Sequence, residues 1–364
     1  MTEIPITMSG VVLTGHGGPE VLDFRTDLPV PVPAQGEVLV RVKAAGVNNT
    51  DINTRLAWYS KSDESSDDTS ADASWSGQAL QFPRIQGADV CGEIVATGAG
   101  VDPGRLGERV LIEPCLREAA GQALETPWYL GSECDGGVAG YTKVAARHAH
   151  RINSTLSDVE LASFPCSYST AENMLTRAGV SAKDTVLITG ASGGVGSAAV
   201  QLARARGARV VAVTSAIKAD LLRDIGAARI VHRGASLEQA LGRNSVDVVI
   251  DLVAGSQWGE LLDVLRPGGR YAVSGAIGGP LVELDIRTLY LKDLSFFGCT
   301  VLEPDVFGNL IRHIEAGRVK PLVAESWNLS EIDKAQASFV TKKHTGKIVL
   351  RVAGGQGRQT SARP

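Results

Sequence analysis

The chain has little of what braces a small secreted protein or builds a metal centre. Its 364 residues hold five cysteines and six histidines. Cys91, Cys115, Cys134, Cys166 and Cys299 are an odd set at irregular spacing, with no CxxC and no HxxxH pair. That argues against a disulfide framework and against a zinc-ribbon site. No run rich in lysine and arginine occurs, and the net charge is −4 with a pI near 5.9. A nucleic-acid partner is therefore not expected. No apolar stretch approaches the ~18 residues that a membrane-spanning helix needs. Residues 1–6 carry no basic segment leading into an apolar one. A membrane partner is not expected, and the cytoplasm is the expected compartment. Hydrophobic residues make up 44% and charged residues 21%, a balance that suits folding rather than disorder. The length suits two domains.

What is present is concentrated between residues 186 and 218. An apolar run, Val186–Thr189, stops at Gly190-Ala191-Ser192-Gly193-Gly194-Val195-Gly196, and a segment of helical period begins at Ser197. A second apolar run follows at Arg209–Val213. Strand, glycine turn, helix and strand in that order form the opening of a dinucleotide-binding unit. Glycines let a backbone approach a pyrophosphate, and the helix N-terminus offers N–H groups to the anion. An NAD enzyme places a carboxylate at the end of the second strand to bond the ribose hydroxyls. Here the residues are Thr214, Ser215, Ala216, Ile217 and Lys218, with no acid before Asp220. Hydroxyls and a cation suit a 2′-phosphate, and Arg233, after a short strand at Arg229–His232, adds a guanidinium. The expected cofactor is NADPH. The competing reading makes Lys218 and Arg233 solvated surface charges.

The first ~165 residues read as short strands between Gly and Pro punctuation. Residues 168–302 alternate strands and helices, as a parallel sheet requires. Later strands are expected at Val246–Asp251 and Gly269–Ser274. Helices are expected at Asp305–Gly317 and Leu329–Val340, and a final strand at Gly346–Arg351. Ser60–Ser74 is acidic and serine-rich and reads as an exposed loop, either a flap over an active site (over 60–81) or a surface insertion. The tail from Gly354 is expected to be disordered.

With Gly190–Gly196, Gly87-Ala88-Asp89 and Gly346–Leu350, the chain resembles the medium-chain dehydrogenase/reductase superfamily over about residues 8–352. Within it the chain is similar to the zinc-free quinone oxidoreductase, or zeta-crystallin-like, branch. The resemblance implies an α/β protein with a GroES-like β-rich catalytic domain (1–167 and 303–364) and a Rossmann doubly wound parallel-sheet domain (168–302). It implies that substrate and nicotinamide meet between the two domains. Where zinc alcohol dehydrogenases carry their first cysteine ligand this chain has Asn48, and where they carry a histidine it has Ala88. Cys166 stands at the third ligand position, and the four-cysteine structural lobe has no counterpart. No bound metal is expected, since a catalytic zinc needs three good protein ligands. Cys166 reads more simply as a small buried residue.

Such an enzyme moves a hydride from NADPH to a quinone, or to the β-carbon of an α,β-unsaturated carbonyl, and then a proton follows. The resemblance puts Asn48 and Asp51 beside substrate and Thr170 near the nicotinamide. Plain structural roles compete: a turn residue, an internal partner and a helix cap. Tyr59 is the nearest phenol to serve as proton donor, with Trp58, Trp128 and Tyr129 as an aromatic wall. Backbone groups at Leu252-Val253 and Ser274-Gly275 are candidates for the carboxamide, and Lys347 for the pyrophosphate. His148 and His150 read as surface residues. A homodimer is expected through Rossmann edge strands near Arg270–Val273 and Leu294–Val301. Two alternatives stay open: an alcohol or aldehyde dehydrogenase with a degenerate zinc site around Cys166, and a non-catalytic NADPH-binding protein.

Overall fold

The structure, a computed structural model, describes residues 3–60 and 74–352. Apart from Ser60 and Ser74, the loop expected at Ser60–Ser74 lies outside the described residues, as does the tail expected from Gly354. The chain divides into two compact units, Met1–Cys166 with Pro321–Pro364, and Ser167–Lys320. None of the described helices is long and apolar enough to cross a membrane.

The first unit is built on a seven-stranded sheet among the described residues. Its central strand, Glu37–Val47, pairs antiparallel with Asp89–Thr97 on one side and Lys347–Arg351 on the other. Val38, Val40 and Val42 on this strand have no exposed surface, and Ile94, Ile348 and Leu350 join them in one apolar core. Two registers set which residues meet at the strand's end. Gly46 lies opposite Asp89, and Val47 lies opposite Ile348. Asn48, Asp89 and Lys347, distant in sequence, therefore collect at one end of the sheet. A Cβ at Gly46 would sit 2.5 Å from Asp89 Oδ2, so only glycine leaves room for that carboxylate.

The second unit carries six parallel strands among the described residues. Their spatial order is Arg229–His232, Arg209–Thr214, Thr185–Ile188, Val246–Asp251, Leu265–Val273, Ser295–Gly298. This is the doubly wound order, with its reversal between Thr185–Ile188 and Val246–Asp251. Valines and isoleucines buried on both faces, such as Val186, Ile188, Val248 and Ile250, explain why these strands read as continuous apolar runs.

Two expectations shift. Residues 303–320, assigned from sequence to the first domain, pack with the second unit. Asn173 bonds both Val301 O (3.1 Å) and Glu303 N (3.0 Å), while Gln201 Oε1 accepts from Lys320 N at 2.8 Å. Arg270–Val273 is not an edge, because it pairs with Ser295–Gly298 on one side and Val246–Asp251 on the other. Ser295–Gly298 is the edge strand on that side of the described sheet, and Arg229–His232 is the edge on the other.

Candidate functional site

The glycine turn of the second unit lies at the carboxyl end of Thr185–Ile188, beside the reversal of strand order. Gly193 N donates to Gly190 O at 3.0 Å, and the helix Gly194–Ala205 starts at once. Gly196 has no room for a side chain: a Cβ would lie 2.2 Å from Gly190 O and 2.7 Å from Ala191 Cα. The first N–H groups of the helix, those of Gly194, Val195 and Gly196, have no intrahelical partners, an anion-binding arrangement. At the end of the next strand Thr214 is buried, and its Oγ1 has no hydrogen-bond partner among the described residues. Thr214 O accepts from Arg233 N at 2.8 Å, which brings Arg233 beside Thr214 and Ser215. Partial burial, and then the charge of Arg233, lower the Lys218 ammonium below its ordinary range. Two cations are thus held close enough to repel. These residues fit a phosphorylated dinucleotide: a tight cradle, an orphaned hydroxyl and paired positive charge.

Across the reversal stands Asp251, a residue that sequence reading passed over. Its carboxylate is fully buried and accepts from Thr189 Oγ1 (2.5 Å), Tyr271 Oη (2.6 Å), Val253 N (2.9 Å) and Ala254 N (3.1 Å). Those bonds hold Leu252 and Val253 against the glycine turn, so that a Cβ at Gly190 would meet Val253 Cγ2 at 3.2 Å. They also consume the backbone: Val253 N is bound to Asp251 and Val253 O accepts from Gly278 N at 2.7 Å. Val253 N–H is therefore taken, while Val253 O keeps a second lone pair. Ser274 Oγ donates to Cys299 O at 2.8 Å, and Gly275 backs onto Leu252 O.

In the first unit, Asn48, Asp89 and Lys347 form one buried cluster. Lys347 Nζ pairs with Asp89 Oδ2 at 2.6 Å and donates to Asn48 Oδ1. Asn48 Nδ2 donates to Asp89 Oδ2 at 2.8 Å, and Cys166 N donates to Asp89 Oδ1 at 2.6 Å. Lys347 is 2% exposed. Its ammonium is committed within this unit, which contradicts the expected reach to a pyrophosphate. Asp51 lies in the short helix Asn49–Arg55, where its Oδ2 accepts from Asn48 N at 2.7 Å. Burial pushes its carboxyl up to about 7, against the pull of Asn48 N–H and Lys347.

An aromatic wall adjoins this cluster, with Trp58, Tyr59 and Tyr129 as expected, Trp75 added and Trp128 absent. Trp75 stacks on Tyr129 with centroids 4.1 Å apart and planes 4° off parallel, and donates Nε1–H to Thr50 Oγ1 at 2.6 Å. Tyr59 sits 6.0 Å from Trp75 and 5.4 Å from Trp58. Burial raises its phenol, which Thr50 and Asn53 hydrogen-bond. Trp128 instead packs on the apolar core. Thr170 belongs to the second unit, inside the helix Pro165–Arg177, so it does not cap that helix. His148 is buried rather than on the surface. Its Nε2 accepts from Arg117 N at 2.9 Å, which leaves Nδ1–H to face Glu113 at 3.0 Å. Burial alone would raise Glu113, but His148 and His150 bring it down to about 2.

The positions matching zinc ligands do not fit zinc. Ala88 offers no donor, and the amide of Asn48 is spent on Asp89 and Lys347. Burial, with the charge of Asp89, pushes the Cys166 thiol up to about 12, and Tyr129 Oη lies 3.0 Å from its sulfur. Among the described residues no group of three or more His, Cys, Asp or Glu is arranged to hold a metal.

Comparison with known proteins matches residues 34–154 to the alcohol dehydrogenase GroES-like domain and residues 194–316 to the zinc-binding dehydrogenase family. The acryloyl-coenzyme A reductase of Metallosphaera sedula is 31% identical over 94% of this chain and 99% of its own. Human quinone oxidoreductase is 27% identical over 94% of this chain and 97% of its own. A solved Sinorhizobium meliloti structure, described as a candidate alcohol dehydrogenase, is 45% identical with a TM-score of 0.88, covering 97% of this chain and 98% of that one.

Asp51 generates a stability test. An acid raised on folding contributes its full stabilisation below its ordinary pKa of 3.8 and loses it as pH climbs to about 7. The loss is bounded at about 4 kcal/mol by the size of that shift. Glu113, lowered, acts in the opposite sense and only at more acidic pH. Denaturant midpoints measured between pH 4 and pH 7 are expected to fall with pH, and Asp51→Asn, which keeps the acceptor for Asn48 N–H, is expected to flatten that fall.

Proposed function

Because the chain belongs to the medium-chain dehydrogenase/reductase superfamily, we propose that it is an NADPH-dependent, metal-independent reductase of activated alkenes or quinones. The observation that carries the reading is the cluster at the former ligand positions. An amide, a methyl and a protonated thiol surround an internal ion pair, so no Lewis acid is on hand to polarise a simple carbonyl. A quinone or an α,β-unsaturated carbonyl is electrophilic without one. The names of the acryloyl-coenzyme A reductase and quinone oxidoreductase relatives agree with such acceptors. The commitment of Cys166 to Tyr129 argues against the alcohol dehydrogenase alternative.

NADPH, when bound, supplies the hydride. Gly190, Ser192, Gly193, Gly194, Val195 and Gly196 would hold its pyrophosphate, and Thr214, Ser215, Lys218 and Arg233 its 2′-phosphate. Leu252, Val253, Ser274 and Gly275 remain candidates for the nicotinamide end. Among the catalytic candidates, Tyr59 would give the proton, since burial keeps its phenol protonated. Asn48, Asp51 and Thr170 would position substrate and cofactor. A homodimer through the edge strand Ser295–Gly298 completes the reading. In the segment of chain leading into that strand, Leu281 (91% exposed), Leu291 (70%) and Ile277 (62%) are unusually open for their type.

Three measurements test it. NADPH oxidation with a quinone and with a simple enone is expected to survive exhaustive chelation. Activity that disappears with chelator and returns with zinc would refute metal independence. Lys218→Ala/Arg233→Ala is expected to weaken NADPH binding about 10- to 100-fold, the worth of lost charge-assisted bonds, and to leave NADH binding unchanged. Light scattering after gel filtration is expected to give twice the chain mass, and the chain mass for Leu281→Glu/Leu291→Glu.

A further inference from the structure

We infer that Asp251 is a positioning residue for the nicotinamide end of the cofactor: it holds the segment Leu252–Gly255 in a backbone conformation that the segment would not keep by itself. The inference rests on the proposed nicotinamide chemistry and adds the residue that prepares its place. Ala254 has φ 54° and ψ −138°, a region that a Cβ disfavours and glycine ordinarily fills. Gly255 follows at φ 69°. Two successive residues of positive φ, the first with a side chain, are strained unless their surroundings over-determine them. Asp251 supplies that constraint. Its Oδ1 accepts from Ala254 N at 3.1 Å and from Val253 N at 2.9 Å, and its Oδ2 lies 3.2 Å from Ala254 N. Thr189 Oγ1 donates to Asp251 Oδ1 and itself accepts from Leu252 N at 2.9 Å. Tyr271 Oη fixes the other carboxylate oxygen at 2.6 Å. The N–H groups of Leu252, Val253 and Ala254 are all spent on this one network. Of the backbone from Leu252 to Ala254, carbonyl oxygens are what is left to meet a ligand. Neighbouring glycines close the segment in: a Cβ at Gly255 would lie 2.3 Å from Gly278 O, and one at Gly275 2.9 Å from Leu252 O. The segment leaves the strand Val246–Asp251 at the reversal of strand order, facing the glycine turn, where a dinucleotide crosses such a sheet. Strain at that place, maintained by a sealed carboxylate, is preorganisation of a binding surface.

Binding measured by titration calorimetry, without turnover, separates the nicotinamide end from the rest of the cofactor. NADPH carries both ends, whereas adenosine 2′,5′-bisphosphate carries only the end proposed for Thr214, Ser215, Lys218 and Arg233. Asp251→Asn is expected to weaken NADPH about 10-fold, the worth of a lost charge-assisted bond, and to change the bisphosphate by less than about twofold. Ala254→Gly is expected to raise the melting temperature by about 2–4 °C, because glycine adopts the same angles without strain. Joined to Asp251→Asn, it is expected to recover most of the lost NADPH affinity, since the segment then needs no clamp. A merely structural role for Asp251 predicts no such rescue. Should Asp251→Asn fail to fold, Tyr271→Phe removes one donor from the same carboxylate and is expected to weaken NADPH selectively, to a smaller degree. The inference is overturned if the variant weakens both ligands equally or neither. It is also overturned if Ala254→Gly lowers the melting temperature, or if the double variant binds NADPH no better than Asp251→Asn alone. A wild type that holds NADH more tightly than NADPH would count against the cofactor proposal alone, and the same comparison then runs with NADH and ADP.

Discussion

A carboxylate sealed from water must be answered by charge or by hydrogen bonds, and the first unit answers Asp89 with Lys347. Such a pair is a poor source of net stability, since desolvating two ions consumes most of their attraction. Breaking it is another matter: one partner left behind costs about 3–5 kcal/mol. The pair therefore acts as a constraint. Because Lys347 and Asp89 belong to the strands flanking Glu37–Val47, their contact pins the register of both neighbours at one end of the sheet. Asn48, bonded to each of them, leads directly into the helix that carries Asp51. Asp89 also receives the backbone N–H of Cys166. The positions of all the candidate residues around this cluster follow from one internal charge pair.

The second unit buries Asp251 by the other route. Its carboxylate meets two hydroxyls and two backbone N–H groups and, among the described residues, no cation. Neutral donors carry no charge of their own to desolvate, and they sit on the segments that must be placed: Thr189 before the glycine turn, Val253 and Ala254 after the adjoining strand. The contrast is chemical. Asp89 is tied to a charge and organises a closed cluster, whereas Asp251 is tied to backbone and shapes the loop facing the glycine turn.

This contrast also separates what could be read from sequence and what could not. The strand, glycine turn, helix and second strand of the second unit are contiguous, so their periodicity and punctuation were legible directly. The buried clusters are not local. Asn48 and Asp89 are 41 residues apart, and Asn48 and Lys347 are 299 apart. Lys347, at the start of the final strand, reads in sequence as a candidate for a pyrophosphate, and only the pairing of Ile348 with Val47 brings it to Asn48. Trp75 was missed because it follows an acidic, serine-rich stretch with no apolar period, yet it stacks squarely on Tyr129. His148 looked exposed because nothing nearby in sequence announces Glu113 as its partner. Residues 303–320 went to the wrong side because their ties run to Asn173 and Gln201, each more than a hundred positions away.

The cations of the chain are best distinguished by where their counter-charge comes from. Lys347 carries its own, and its environment is closed. Lys218 feels the opposite: the neighbouring charge that most affects it is Arg233, which lowers its affinity for a proton. The backbone bond from Arg233 to Thr214 keeps that second charge beside the end of the same strand. On the proposed reading a phosphate on the ribose would meet two cations there, whereas a ribose hydroxyl would offer no charge to either. The proposed cofactor preference rests on that pair of charges, and the proposed metal independence on donors already committed to an internal ion pair.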